Sequence, residues 1–278
     1  MGWNLKSPKI LHIYWGGGIM TYIRFLTIKS FINQNPDWKI MFWYPKFPNK
    51  NMTWYTEEQK YDISQCTDFL PKLMNMPITK TSVDFRDYGF DNNISEVHKA
   101  DFIRLELLST IGGLWSDMDI FYFKPMNSLY LNTIENKNIE TFYCDHDYGH
   151  SVGFLMSSEK NKFFETLKEL SKREYISILY QSIGALTFNK YFSSFESINS
   201  ITPAINISMD VVYAHNAGDV RNIINGIRPK FTNESIGVHW YAGSPLWMDF
   251  INKTNGGLNN LPDSIIGNLL KNYHEDIK

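Results

Sequence analysis

Cysteine is scarce in this chain: 278 residues contain two, Cys66 and Cys144. Two cysteines cannot build a disulfide framework, and no Cys/His group has the spacing of a zinc site, so a reducing compartment is the simpler reading. Long apolar runs are missing too. No stretch of about 18 apolar residues occurs, so no transmembrane segment is expected. The polar start, Met1 to Lys9, does not read as a signal peptide, and Lys6 stands where N-myristoylation needs Ser or Thr. The expectation is a cytoplasmic enzyme or a soluble portion of something longer. A one-sided charge is also absent: 27 Lys and Arg against 29 Asp and Glu leave a net charge of −2. With no dense Lys/Arg run, no nucleic-acid partner is expected.

What is present is a globular composition, 43% hydrophobic and 20% charged, with no internal repeat or low-complexity segment. The aromatic fraction of 15% suits stacking on sugars or bases, and suits a large core equally well. Pro8 to Trp15 reads as a first strand, ended by Gly16-Gly17-Gly18. Triple glycine lets backbone approach a ligand closely, but no Gly-Lys-Ser/Thr follows to make a phosphate loop. Tyr22 to Asn33 is an amphipathic helix and Trp38 to Tyr44 a second strand. That strand–helix–strand opening is expected of nucleotide-binding α/β folds. A polar surface excursion with a short helix over 56–66 comes next, then a third strand over 78–85. Later expectations are strands at 140–144 and 151–157, a helix at 159–170, a strand pair at 203–213 and a helix at 264–273.

The stretch from Ser95 to Pro125 organises the rest. Ser95 is a good N-cap, and Glu96 lies at the positive end of the helix dipole. Val97, Ala100, Ile103, Leu107, Leu108 and Ile111 recur at helical spacing. Gly112-Gly113 supplies a left-handed stop. Asp101 and Arg104 share one side of this helix; in isolation such a pair reads as a solvated ion pair. After the stop come Leu114-Trp115-Ser116, then Asp117 and Asp119 around Met118, then the apolar Ile120 to Phe123. Carboxylates in an apolar stretch are costly without a partner. In an extended segment residues i and i+2 face one side, so both carboxylates could converge on one hard cation shared with a diphosphate.

Asp101-x-x-Arg104, seven residues, Gly112-Gly113, three residues and Asp117-x-Asp119 together resemble the signature of the DXD sugar-binding glycosyltransferases. This is the group around glycosyltransferase family 32, with glucosylating clostridial toxins and capsule or mannosyl transferases as relatives. The resemblance implies a GT-A-like single α/β domain over 1–278, its central sheet mostly parallel and flanked by helices. It implies a catalytic set of Asp101, Arg104, Asp117 and Asp119: Asp101 and Arg104 contact the donor sugar, Asp117 ribose and sugar, and Asp119 the metal. Trp115 stands where the family usually has Tyr, and Ser116 where it has an aliphatic residue. The opening also resembles the family, so Tyr14 and Trp15 are donor-site candidates, Trp15 as the stack for the base. His12, alternating with apolar neighbours, reads as a satisfied core histidine. Gln181 to Thr187 resembles the family's Thr-Gly-Pro-x-x-Leu-Thr turn, with Ala185 in place of proline. The segment from His239 resembles the family's closing His-x-x-x-x-Ser-x-Trp, which makes His239 a metal or diphosphate ligand beside Asp117 and Asp119, and Ser244 and Trp247 donor-site residues. Neutral imidazole is a good Mn²⁺ ligand.

The activity so implied is transfer of a hexose or N-acetylhexosamine from a nucleotide diphosphate sugar, UDP favoured over GDP, to an acceptor hydroxyl, with Mn²⁺ or Mg²⁺ and with retention of configuration. The acceptor could be a carbohydrate, a lipid-linked sugar or a protein. A non-catalytic nucleotide-sugar-binding module and a Mg²⁺-dependent phosphotransfer enzyme are the alternatives. Asp145-His146-Asp147 with His150 is a second acidic group, which either competes for the metal or faces the acceptor.

Overall fold

The computed structural model describes residues 7–16, 18–49, 63–130, 139–146, 149–225 and 231–273. Strand β1 (Ile10–Tyr14), helix α1 (Tyr22–Gln34) and strand β2 (Lys39–Pro45) form the opening unit. Helix α2 (Leu70–Asn75) leads to β3 (Thr79–Val83). Helix α3 (Glu96–Thr110) runs into β4 (Gly113–Ser116), with β5 (Ile120–Tyr122) after a turn. Helix α4 (Asn127–Tyr130) precedes β6 (Thr141–His146) and β7 (Gly149–Ser157). Helices α5 (Lys162–Arg173), α6 (Ala185–Tyr191) and α7 (Phe195–Asn199) lead to β8 (Ala204–Ile207). The remainder is α8 (Val220–Ile224), β9 (Gly237–His239), α9 (Pro245–Thr254) and α10 (Ile265–Asn272).

Seven strands form one sheet in the order β3-β2-β1-β4-β7-β6-β8, and β5 pairs with β9 in a separate ribbon. Neighbours are parallel except around β7, which runs antiparallel to both β4 and β6. The expected mostly parallel α/β sheet is therefore present, with one reversed strand inside it. Successive side chains on a strand alternate faces, and the core divides accordingly. Leu114, Phe154 and Met156 join α1, α9, α10 and the ribbon on one face; Trp115, Leu155 and Tyr143 join α3, α5 and α6 on the other.

Two local features fix the register of the centre. The Ser95 hydroxyl caps α3, accepting from the His98 N–H at 3.1 Å. Gly112 and Gly113 then take φ of 71° and 106°. A side chain at Gly112 would lie 2.5 Å from the Ser158 backbone, and one at Gly113 2.7 Å from the Ile10 carbonyl. Glycine is thus required twice over, by conformation and by close approach. His12 is a satisfied core histidine, as expected: Nδ1 accepts from the Trp43 indole at 3.2 Å, and Nε2 lies 2.8 Å from the Gly112 carbonyl. Those partners assign the proton to Nε2.

Three expectations change. The strand pair at 203–213 is one strand, β8, followed by a 3-10 turn over Met209–Val211 that Ser208 caps from its side chain. Helix α5 starts at Lys162, because Asn161 caps it by accepting from the Phe164 N–H at 3.1 Å. Asp117 to Asp119 is a turn between β4 and β5, not an extended segment. Most of the helix expected over 56–66, along with Gly17 and Asp147, lies outside the described residues.

Candidate active site

The turn after β4 delivers the acidic pair by a different route from strand alternation. Met118 is buried in the core, and the carboxylates on either side of it stay at the carboxyl edge of the sheet. Asp117 is fixed three ways. Its N–H donates to the Gly153 carbonyl at 2.8 Å, and its Oδ1 accepts from the Trp115 indole N–H at 2.8 Å. The Arg104 guanidinium stands 3.6 Å from the same oxygen. A methyl group on Gly153 would lie 2.8 Å from Asp117 Oδ2, so that glycine makes room for the carboxylate.

Asp119 is held from the C-terminal part of the chain. Strand β9 pairs with β5 so that His239 stands opposite Ile120. This sets His239 Nε2 3.1 Å from Asp119 Oδ1, while Oδ2 accepts from the Ala242 N–H at 3.0 Å. Burial alone would raise the Asp119 pKa. His239, the Arg24 guanidinium and the Ala242 N–H outweigh it and hold the carboxyl well below the usual range. Ligand atoms of Asp117, Asp119 and His239 all lie within 4.8 Å of one another. Two carboxylates and an imidazole form a donor set that suits a divalent cation such as Mn²⁺ or Mg²⁺, and the residues therefore fit such an ion.

Asp101 and Arg104 come from α3, one turn apart and both buried. Arg104 Nη2 donates to Asp101 Oδ1 at 2.7 Å, and Nη1 to the Val152 carbonyl at 2.5 Å; the guanidinium also lies over the Trp115 ring, 5.1 Å from its centroid. This is a desolvated pair rather than a solvated surface contact, and removing one partner from such a pair costs about 3–5 kcal/mol. Burial first, with Asp117 adding and Arg104 opposing, pushes the Asp101 pKa up to about 7. Its Oδ2 is buried without a hydrogen-bond partner. Gly184 adjoins this carboxylate: a side chain there would come within 3.6 Å of Asp101 Cγ, and its φ of 101° is glycine territory.

Of the residues singled out from sequence, Asp101, Arg104, Trp115, Asp117, Asp119 and His239 are brought together. Trp15 is half-buried and borders them through Arg24, whose guanidinium lies 5.5 Å from the Trp15 ring and 5.1 Å from the Trp240 ring. Ser244 opens α9, two residues beyond the Ala242 that binds Asp119. Tyr14 is buried with its hydroxyl donating to Glu96 Oε2 at 2.6 Å. Trp247 is fully buried, its ring edge-on to Trp240 and Phe250. His150 bonds Asp145 and the Phe192 carbonyl and stacks on Phe188, so both ring nitrogens are engaged away from the acidic turn. Sequence reasoning missed Arg24, Gly153 and Tyr213. Tyr213 accepts a hydrogen bond from Ser151 and packs on the His239 ring at 5.0 Å. The one available signal was Gly153, a glycine inside an apolar strand, which marks close approach.

Residues 25–137 match the model of the glycosyltransferase sugar-binding region containing DXD motif, and residues 85–197 match that of a capsular polysaccharide synthesis protein. No curated protein matches the chain in sequence. Among solved structures, the glycosyltransferase GlyE of Streptococcus pneumoniae TIGR4 is similar at 11% identity and a TM-score of 0.51, over 96% of this chain and 60% of GlyE. The chain thus spans less than two thirds of that relative. The galactosyltransferase LgtC, solved with donor and acceptor sugar analogs, aligns at 11% identity over 91% of this chain and 98% of LgtC, with a TM-score of 0.42. The UDP-bound glycosyltransferase domain of the YGT toxin aligns at 14% identity over 62% of each chain, with a TM-score of 0.39. Residues 25–137 thus match a glycosyltransferase sugar-binding region containing a DXD motif, carried on an α/β sheet with the GT-A-like fold seen in GlyE.

Proposed function

We propose that this protein is a glycosyltransferase that moves a hexose or N-acetylhexosamine from a nucleotide diphosphate sugar, UDP favoured, to an acceptor hydroxyl with retention of configuration. The observation that carries the reading is the unpaired, buried Asp101 Oδ2 next to the Asp117–Asp119–His239 group. A buried carboxylate oxygen without a donor calls for one, and a sugar hydroxyl supplies it.

Each residue then has a task. Asp101 orients the sugar, and Asp117, steadied by Trp115, orients ribose and sugar; this is the positioning part of catalysis. Arg104 places fixed positive charge where the leaving group develops negative charge. Trp15 offers its ring to the base, with Arg24 behind it. Ser244 faces the phosphates, while Tyr14 and Trp247 support the site from behind. Asp117, Asp119 and His239 would hold the divalent cation, with Mn²⁺ favoured by the imidazole. When bound, that ion supplies Lewis-acid stabilisation of the diphosphate. The bond between the anomeric carbon and the diphosphate oxygen breaks. The acceptor oxygen bonds the same carbon from the same face, and its proton passes to the leaving phosphate. Retention rests on the resemblance to family 32.

The test is donor hydrolysis by purified protein over a panel of UDP- and GDP-sugars, with Mn²⁺ and with chelator. Metal-dependent release of one sugar, lost in Asp119→Ala, is the expected result. Donor binding with no turnover, even with mixed acceptors, would overturn it in favour of a binding module. A trapped glycosyl–enzyme adduct would refute same-face attack.

A further inference from the structure

Lys99 is buried, only 1% exposed, and the transfer chemistry above gives it no task. A buried ammonium is costly unless it is paired. Its Nζ donates to Glu96 Oε1 at 2.8 Å and to the Phe47 carbonyl at 2.8 Å. Glu96 is the more informative partner. It opens α3, where the helix dipole favours a carboxylate, and it gathers donors from two other segments. Oε2 accepts from the Tyr14 hydroxyl at 2.6 Å, at the end of β1. Oε1 accepts from the Asn49 N–H at 2.6 Å, in the segment after β2.

These contacts meet at the site. Strand β1 pairs in parallel with both β2 and β4, so the segments that follow them leave the sheet at one edge, the edge that carries Asp117. Trp15 stands between two residues that touch Glu96. Tyr14, before it, donates to the carboxylate. Gly16, after it, runs so close that a Cβ there would lie 2.7 Å from the Glu96 Cβ. The glycine at 16 therefore makes room for an interior side chain. Burial first, then the Glu96 charge, raise the Tyr14 pKa well above its ordinary value, so the hydroxyl keeps the proton that it donates. Both carboxylate oxygens are used. A glutamine would offer one acceptor oxygen, and either Tyr14 or the Asn49 N–H would face an amide nitrogen instead.

We propose that Glu96 is a positioning residue for the nucleotide base: backed by Lys99, it sets Tyr14-Trp15-Gly16 against the helix that carries Asp101 and Arg104, and so fixes the Trp15 ring relative to the sugar end of the site. The identity of the ligand as a nucleotide rests on the transferase reading above; the hold of Glu96 on Trp15 does not.

The experiment has one arm without ligand and one with UDP. In the first, the eight tryptophans of the full chain are replaced by 5-fluorotryptophan, and the Trp15 fluorine resonance is assigned by its loss in Trp15→Phe. Glu96→Gln should move or broaden that resonance and leave those of Trp38, Trp115 and Trp247 in place, which separates a shifted Trp15 from misfolding. In the second arm, calorimetry gives UDP affinity. Glu96→Gln should weaken it about fivefold and Trp15→Ala about tenfold. The double variant should bind like Trp15→Ala alone, because a residue that acts through Trp15 has nothing left to act on. Glu96→Gln is also made with Lys99→Met, which removes the stranded buried charge; the Trp15 shift and the weaker binding should persist there. An unmoved Trp15 resonance overturns the proposal. So do additive losses in the double variant, and so does recovery of the wild-type resonance and affinity on adding Lys99→Met. Wild type that binds neither UDP nor GDP, while the Trp15 resonance still responds to Glu96→Gln, would count against the transferase reading alone.

Discussion

Acidification should unfasten the frame of the site through His12. Burial first, and Lys39 to a lesser extent, lower its pKa from 6.5 to about 4, against a smaller opposing effect of the Gly112 carbonyl. The folded His12 stays neutral because Nδ1 is already accepting from Trp43. In the unfolded chain it takes up a proton near pH 6.5. Between pH 6.5 and about 4 the unfolded state therefore binds more protons, and stability falls as pH falls. The loss is negligible above the unfolded pKa, about 2 kcal/mol at pH 5, and levels off near 3 kcal/mol below the folded pKa. The perturbation is His12→Gln, which cannot titrate. Leaving Trp43 and Gly112 imperfectly paired should cost that variant about 2 kcal/mol at neutral pH. Urea unfolding at pH 7 and pH 5 supplies the comparison: wild type should lose about 2 kcal/mol more than His12→Gln over that interval. Other groups, His98 and His215 among them, have lowered pKa values and add their own slope, but they are common to both proteins. Equal losses in the two would refute the reasoning and place the His12 proton elsewhere.

Addition of Mn²⁺ at about a hundred times its Kd should raise the thermal midpoint by about 5 °C, a shift that His239→Ala abolishes; calorimetry checks this without any substrate. Gly184→Ala forces a side chain into φ of 101° and should destabilise by about 1–3 kcal/mol in chemical denaturation. Trp115→Phe keeps the ring over which Arg104 lies but removes the N–H that holds Asp117; donor hydrolysis should fall about tenfold, with stability lowered by about 1 kcal/mol. An unchanged rate would show that Gly153 and Arg104 position Asp117 unaided.

Much of the centre of the fold was legible because its determinants are local. Ser95, the apolar stripe and the double glycine lie within one helix length, and each acts on its immediate neighbours. The nearly continuous apolar runs in β1, β2 and β4 likewise report burial on both faces. The convergence of Asp117 and Asp119 was also legible, though for the wrong geometric reason: a turn brings them together where strand periodicity had been invoked. His239 was accessible only through the resemblance, since its approach to Asp119 depends on a pairing between segments about 120 residues apart. Arg24 and Tyr213 were invisible for the same cause. The reversal of β7 also escaped, because an apolar strand reads the same in either direction. Tyr14 and Trp247 show the converse: an aromatic side chain near a site in sequence can serve as its backing, and only packing distinguishes the two.

The β5–β9 ribbon has a consequence for the birth of the protein. Every catalytic candidate from Asp101 to Asp119 leaves the ribosome well before His239 is made. Until β9 is synthesised and settles beside β5, Asp119 lacks both its imidazole neighbour and the Ala242 N–H. A nascent chain that has not yet reached β9 would hold the acidic turn without the imidazole of that cluster. The Asp117–Asp119–His239 cluster is thus completed only after β9 has been made, and the pairing of β9 with β5 sets when that cluster first exists.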